Sequence, residues 1–241
     1  VDKLASHEAT LTGRLICIRG RAKEYGISHH DMATMLGFFT CDAGVEPLLW
    51  QDMVRRAVKR SFNAITVDGD TSTNDTVLAF AAGVALADDQ YGALEEGLTA
   101  AMQQLAQAIA RDGEGATCLI EVQVEGAMDD ASALSVARTV CGSSLVKTAV
   151  HGRDPNWGRI VAAAGRSGVM FDPQAVALWI GGHQLMQAGQ PVAFDRDAAS
   201  ASLQQEKVFI RLLLGSGPGS GVGWGCDLSD QYVRINADYT T

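Results

Sequence analysis

Positive charge, aromatic residues, proline and long apolar runs are all scarce in this chain of 241 residues, and each scarcity excludes something. Nineteen Lys and Arg stand against 28 Asp and Glu, for a formal net charge of -9. Nucleic acid and anionic membrane surfaces are held by basic patches, so neither is expected as a partner. The longest nearly apolar run, Val77 to Ala87, is too short for a bilayer span, which takes about 20 such residues. The opening Val1-Asp2-Lys3 lacks a basic start followed by an apolar stretch, so no secretory signal is read and a cytoplasmic location is expected. The five cysteines are scattered, odd in number and without the Cys-x-x-Cys or His spacing of a zinc site, which reads as buried free thiols. Cys41 lies close to Thr34 in sequence, but nothing beside it supplies the base that a thiol nucleophile needs.

What is present is apolar material, 47% of the residues, enough for one large or two modest cores around a small-molecule enzyme. Helical spacing puts Leu94, Leu98, Ala101, Met102, Leu105 and Ile109 on one face, and another helix runs from Pro47 through Leu49, Met53, Ala57 and Val58. Both are expected to pack on sheet. Alternation at Cys118, Ile120, Val122 and Val124 reads as a strand, and Val176 to Ile180 and Val208 to Leu214 as strands buried more fully. The class is α/β or α+β, with a change of domain near Thr117. Asp130 is a candidate cap for a helix through Leu134, Ala137 and Cys141, which the Gly142-Ser143-Ser144 break ends. The glycine-rich stretch Gly215 to Gly223 lacks the Gly-Lys-Ser/Thr ending of a phosphate loop and is expected to be a flexible loop.

Some local runs have the residue types that chemistry uses, each with a plainer reading beside it. In Thr66-Val67-Asp68-Gly69-Asp70-Thr71-Ser72-Thr73-Asn74-Asp75-Thr76 the carboxylates offer oxygen ligands, yet the spacing is not that of a calcium loop, and turn structure explains the composition equally. Asp154-Pro155-Asn156-Trp157-Gly158 has the makings of a tight turn. Thr34, in Met32-Ala33-Thr34-Met35-Leu36, is a weak nucleophile without a base. Scission before Thr34 would supply one, because a free α-amine has a pKa of about 7.7 to 8.

Together with Ser61-Phe62-Asn63, Asp112-Gly113-Glu114-Gly115-Ala116-Thr117, Leu145-Val146-Lys147-Thr148-Ala149, Asp154 to Arg159 and the Tyr232 to Thr241 ending, these runs resemble the ornithine acetyltransferase family of arginine biosynthesis. The resemblance covers essentially everything from Ala33 onward. It implies an N-terminal-nucleophile αββα sandwich with a second, smaller α/β domain. Residues 1–33 would be the remnant of an α chain, 34–117 the nucleophile-bearing part, and 118–241 a C-terminal domain whose tail returns to the site. It also implies self-cleavage at Ala33-Thr34 and transfer of an acetyl group from N-acetylornithine to glutamate through an acetyl-Thr34 enzyme. Acetyl-CoA is a donor in bifunctional members, and no metal or bound cofactor is implied.

By the same resemblance Lys23, Thr34, Glu114, Asn236 and Thr241 contact substrate, and the α chain of the same enzyme is the partner in an α2β2 assembly. The oxyanion-hole Thr-Gly pair of the family's α chain has no counterpart in residues 1–33. Where the family reads Lys-Gly-x-Gly-Met-Ile-x-Pro-Asn, Lys23 is here followed by Glu24-Tyr25-Gly26-Ile27-Ser28-His29-His30-Asp31. Two alternatives stand beside the transferase: an aminopeptidase or amidohydrolase with an N-terminal nucleophile, and an inactive fragment that needs a separate α chain.

Overall fold

A computed structural model describes residues 3–11, 13–24, 35–70 and 74–238. Within these the chain forms two compact units: one of described residues up to 63 and from 74 to 109, the other of residues 64–70 and 110–238. Ala33, Thr34 and Thr241, three of the positions singled out above, lie outside the described residues.

The first unit is built on a four-stranded sheet in the order β1-β2-β3-β4. Strands β1 (Lys3–Leu11) and β2 (Arg14–Glu24) form a hairpin, β3 (Met35–Gly44) joins β2 antiparallel, and β4 (Thr76–Ala85) joins β3 in parallel. Side chains alternate across a sheet, so one face takes Ile16, Ile18, Ala22, Phe39, Cys41 and Ala43, all buried. Helices α1 (Pro47–Lys59) and α2 (Tyr91–Arg111) carry the expected apolar stripes. Met53 and Ala57 on α1, and Leu94, Leu98, Met102 and Leu105 on α2, are buried. Gly20 makes room for this packing, since a Cβ there would stand 2.4 Å from the Phe39 ring and 3.1 Å from Leu105. The helices are tied to each other by the forked ion pair of Arg56 with Glu95, at 2.8 and 2.6 Å. The opposite face of the sheet is uncovered within the unit: Phe38, Leu78 and Phe80, side by side on β3 and β4, are 46, 43 and 58% exposed.

The second unit holds a six-stranded sheet in the order β10-β5-β9-β6-β7-β8. Its strands are β5 (Leu119–Ala127), β6 (Ala177–Ile180), β7 (His183–Gln187), β8 (Gln190–Pro191), β9 (Lys207–Leu213) and β10 (Gly219–Cys226). Helices α3 (Asp130–Cys141), α4 (Ser144–His151), α5 (Trp157–Gly165) and α6 (Arg196–Ser202) fall in the crossover between the parallel strands β5 and β9. Ile120, Val122 and Val124 of β5 and Val208, Ile210 and Leu212 of β9 share a core with Val136, Ala137 and Val140 of α3.

Two local expectations are corrected. The cap of α3 is Asp129, whose carboxylate accepts from Ser132 N at 2.7 Å, while Asp130 is the first helical residue and accepts from Ser220 N at 2.8 Å. The glycine-rich stretch is not a loop throughout, because from Gly219 it is strand β10. Its glycines let α3 come within backbone contact: a Cβ on Gly221 would lie 2.7 Å from Leu134 N, and one on Gly223 3.1 Å from Ala137 C. Such a packing reason is invisible in a composition that also suits a flexible loop. Replacing Gly221 by alanine will therefore cost about 1–3 kcal/mol of stability through overpacking against a helix backbone, read as a lower urea midpoint.

Candidate active site

The second unit brings Glu114 and Asn236, 122 residues apart in the chain, into direct contact: Asn236 Nδ2 donates to Glu114 Oε2 at 2.6 Å. Glu114 lies in the turn that follows α2, where Ala116 N donates to Gly113 O at 2.9 Å. Gly115 in this turn has φ +68°, a left-handed conformation that favours glycine, and a Cβ there would also meet Tyr232 N at 2.8 Å. Asn236 belongs to helix α7 (Asp230–Ala237), where its amide also donates to the carbonyl of Tyr232 one turn earlier, at 2.9 Å. Turn and helix are clasped at the helix start. Ser229, the N-cap of α7, donates its hydroxyl to Gly115 O at 2.6 Å and accepts from Gln231 N at 3.2 Å.

Asp227, just before the cap, is the structural anchor of this corner. Its buried carboxylate accepts from Thr117 N at 2.7 Å, Thr117 Oγ1 at 2.6 Å and Cys118 N at 3.0 Å, and pairs with His151 Nδ1 at 2.8 Å. Burial alone would raise its pKa; the hydrogen bonds from Thr117, His151 and Cys118 outweigh that and hold it below the ordinary carboxylate value. A carboxyl group depressed on folding contributes stability above its unfolded pKa of about 3.9, and loses it as pH falls through the folded value. Asp227→Asn will thus lower stability at neutral pH by about 2–4 kcal/mol, on the scale of lost charge-assisted bonds, and flatten the fall in stability between about pH 5 and 3. Urea denaturation followed across that range reads both effects.

Negative charge concentrates near Glu114. The Tyr232 phenol is pushed above its ordinary value by burial, then by Asp68, Glu114 and Asp70. Asp68 and Asp70 belong to the run from Thr66 onward, and the segment Ala64–Asp70 is part of this same unit. It runs beside β10, with Thr66 N donating to Trp224 O at 2.9 Å. Among the described residues no cluster of three or more His, Cys, Asp or Glu side chains is arranged to hold a metal ion.

In the first unit Lys23 occupies β2 opposite Leu36 of β3, two residues after Thr34. The backbone that follows Thr34 is pinned, because Met35 N donates to Asp75 Oδ1 at 2.9 Å, and Leu36 pairs with Thr76 of β4. Asp75 thereby gains a definite task within a run whose composition left ligation and turn structure both open. Cys41 is 5% exposed and its thiol is raised by burial, which keeps it protonated and argues against a nucleophilic role. In the Asp154 to Arg159 motif Asn156 caps α5 by accepting from Arg159 N at 3.1 Å, and Arg159 holds Leu145 O at 3.0 Å. Sequence reasoning missed Asp227 and Ser229 as supports of Glu114, and no local pattern signals either one.

Two sheets with helices packed on them make a mixed α/β protein, and the likeness to a solved relative given below makes its fold of the N-terminal-nucleophile type. The model described as "ArgJ family" matches residues 1–241, and the chain belongs to that family. The arginine biosynthesis bifunctional protein ArgJ of Parasynechococcus marenigrum (strain WH8102) is 72% identical over 241 residues, covering 100% of this chain and 59% of the relative. The protein of the same name from Thermosynechococcus vestitus is 55% identical, covering 100% of this chain and 62% of the relative. The chain thus spans about three fifths of the length of the curated relatives it matches. A crystal structure of arginine biosynthesis bifunctional protein ArgJ from Bacillus halodurans superposes with a TM-score of 0.81 at 42% identity, over 84% of this chain and 98% of that one. No described helix is long and apolar enough to cross a membrane.

Proposed function

We propose that this chain carries the nucleophile of an acetyltransferase that moves an acetyl group from N-acetylornithine to glutamate, with Thr34 freed by scission of the Ala33-Thr34 bond. The contact of Glu114 with Asn236 carries the reading. These residues were singled out separately by resemblance to the family, and each alone reads as a turn former. Their junction gives a carboxylate suited to a substrate ammonium and a carboxamide suited to orient it. Lys23 and Thr241 complete the proposed substrate contacts, and acetyl-CoA is the alternative donor.

The scission is supported by the size of the solved relative. A chain covered to 98% by 84% of this one has nearly the length of the segment from Thr34 to Thr241. The uncovered face at Phe38, Leu78 and Phe80 supports a companion α segment, since apolar patches of this kind mark surfaces that another layer covers. That segment would also bring the oxyanion-stabilising donors, a contribution of several kcal/mol to acyl transfer. Formation of N-acetylglutamate from N-acetylornithine and glutamate, assayed on the chain alone and with the upstream segment of a full-length relative, tests the proposal. Transfer in neither case, with hydrolysis of N-acetylornithine instead, would turn the reading toward an amidohydrolase.

A further inference from the structure

Lys147 on α4 is buried, 3% exposed, yet it carries an ammonium group into the interior of the second unit. Its Nζ donates to the carbonyl of Val67. Val67 is the residue before Asp68, and its side chain packs on the turn that holds Glu114: a Cβ on Gly113 would stand 3.0 Å from Val67 Cγ1. Within the Asp68 to Asp70 turn, Asp68 Oδ1 accepts from Asp70 N at 2.9 Å. The backbone carbonyl of Lys147 in turn accepts from Leu228 N at 3.4 Å, on the segment that leads into α7. One residue therefore touches the residue that leads into the Asp68–Asp70 turn and the approach to the helix of Tyr232 and Asn236.

We propose that Lys147 is a positioning residue: by holding the Val67 carbonyl it sets the Asp68–Asp70 turn beside Tyr232 and the Glu114–Asn236 pair. The turn then adds two negative charges to the field that receives an amine-bearing substrate, the class that the acetyl-transfer reading requires. A buried ammonium is costly to desolvate, and an apolar side chain would fill the same space without that cost. What methionine or leucine at this position would lack is the donor to Val67.

The test reads position without relying on activity. Tyrosine ionisation is followed by absorbance in the whole chain, with Tyr232→Phe identifying the contribution of Tyr232 and circular dichroism marking the range over which the chain stays folded. In the wild type the Tyr232 phenol is held above its ordinary value by burial and by Asp68, Glu114 and Asp70, and the double variant Asp68→Asn, Asp70→Asn brings it down. Lys147→Met brings it down as well, as two carboxylates move away. Loss of the ammonium charge by itself moves a nearby phenol up, so a fall reports displacement of the turn. Lys147→Arg, which keeps the donor, restores the wild-type value, and Lys147→Leu, which also lacks it, is read if Lys147→Met does not fold. Folded Lys147→Met or Lys147→Leu with an unchanged or higher Tyr232 titration overturns the proposal. In the assembled enzyme the same variants raise the KM for glutamate about three- to tenfold with kcat nearly unchanged, the scale of two partly screened charges. A wild type without transfer activity would sink the functional reading and leave the tyrosine titration to decide on Lys147.

Discussion

Replacing Thr34 by alanine will abolish acetyl transfer, with a loss of at least about 10⁴-fold, the scale seen when a covalent nucleophile is removed. Alanine has no oxygen to carry the acetyl group. Cys41, the residue with the right chemistry, is buried and held as a neutral thiol. Serine at the same position keeps a hydroxyl and an α-amine after scission, so Thr34→Ser will retain measurable transfer. Equal activity in Thr34→Ala and wild type would remove Thr34 from the chemistry. Background activity is controlled by carrying the alanine variant through the same purification.

Replacing Glu114 by glutamine will lower kcat/KM for glutamate by about 10- to 100-fold, the worth of one charge-assisted hydrogen bond. Glutamine keeps the size of the side chain and an oxygen that can accept from Asn236 Nδ2, so the clasp of turn and helix survives. Only the charge proposed to meet the substrate amine is lost. The loss should therefore appear mainly in KM, and the urea midpoint should stay close to that of the wild type. An unchanged kcat/KM would mean that the Glu114–Asn236 contact serves the fold alone. Gly115→Ala provides a contrast, because it strains a left-handed turn and meets Tyr232 N, and so should lower stability and activity together.

Much of the architecture could be read from periodicity. The apolar stripes of α1 and α2 and the strand patterns of β5 and β9 appear in the structure at the expected places, since a helix or strand that buries one face must repeat its apolar residues at that period. The glycines of β10 were illegible for the opposite reason. They are required by the close approach of α3, a neighbour far off in the chain, and nothing beside them records it. The same holds for the site. Asp227 meets Thr117 across 110 residues, and Asn236 meets Glu114 across 122. Separations of this size leave no local spacing, so composition showed turn residues where the fold makes a pair. Family resemblance picked out Glu114 and Asn236, and the structure adds Ser229 and Asp227, to which the resemblance gave no role.

The measurement that tests the central claim most directly is the intact mass of the purified wild-type chain, with N-terminal sequencing of whatever species it contains. Scission at Ala33-Thr34 predicts a fragment that begins Thr34-Met35-Leu36 and runs to Thr241, absent from Thr34→Ala. A single uncut species in the wild type would contradict the account, because without a free α-amine Thr34 has no base to activate its hydroxyl.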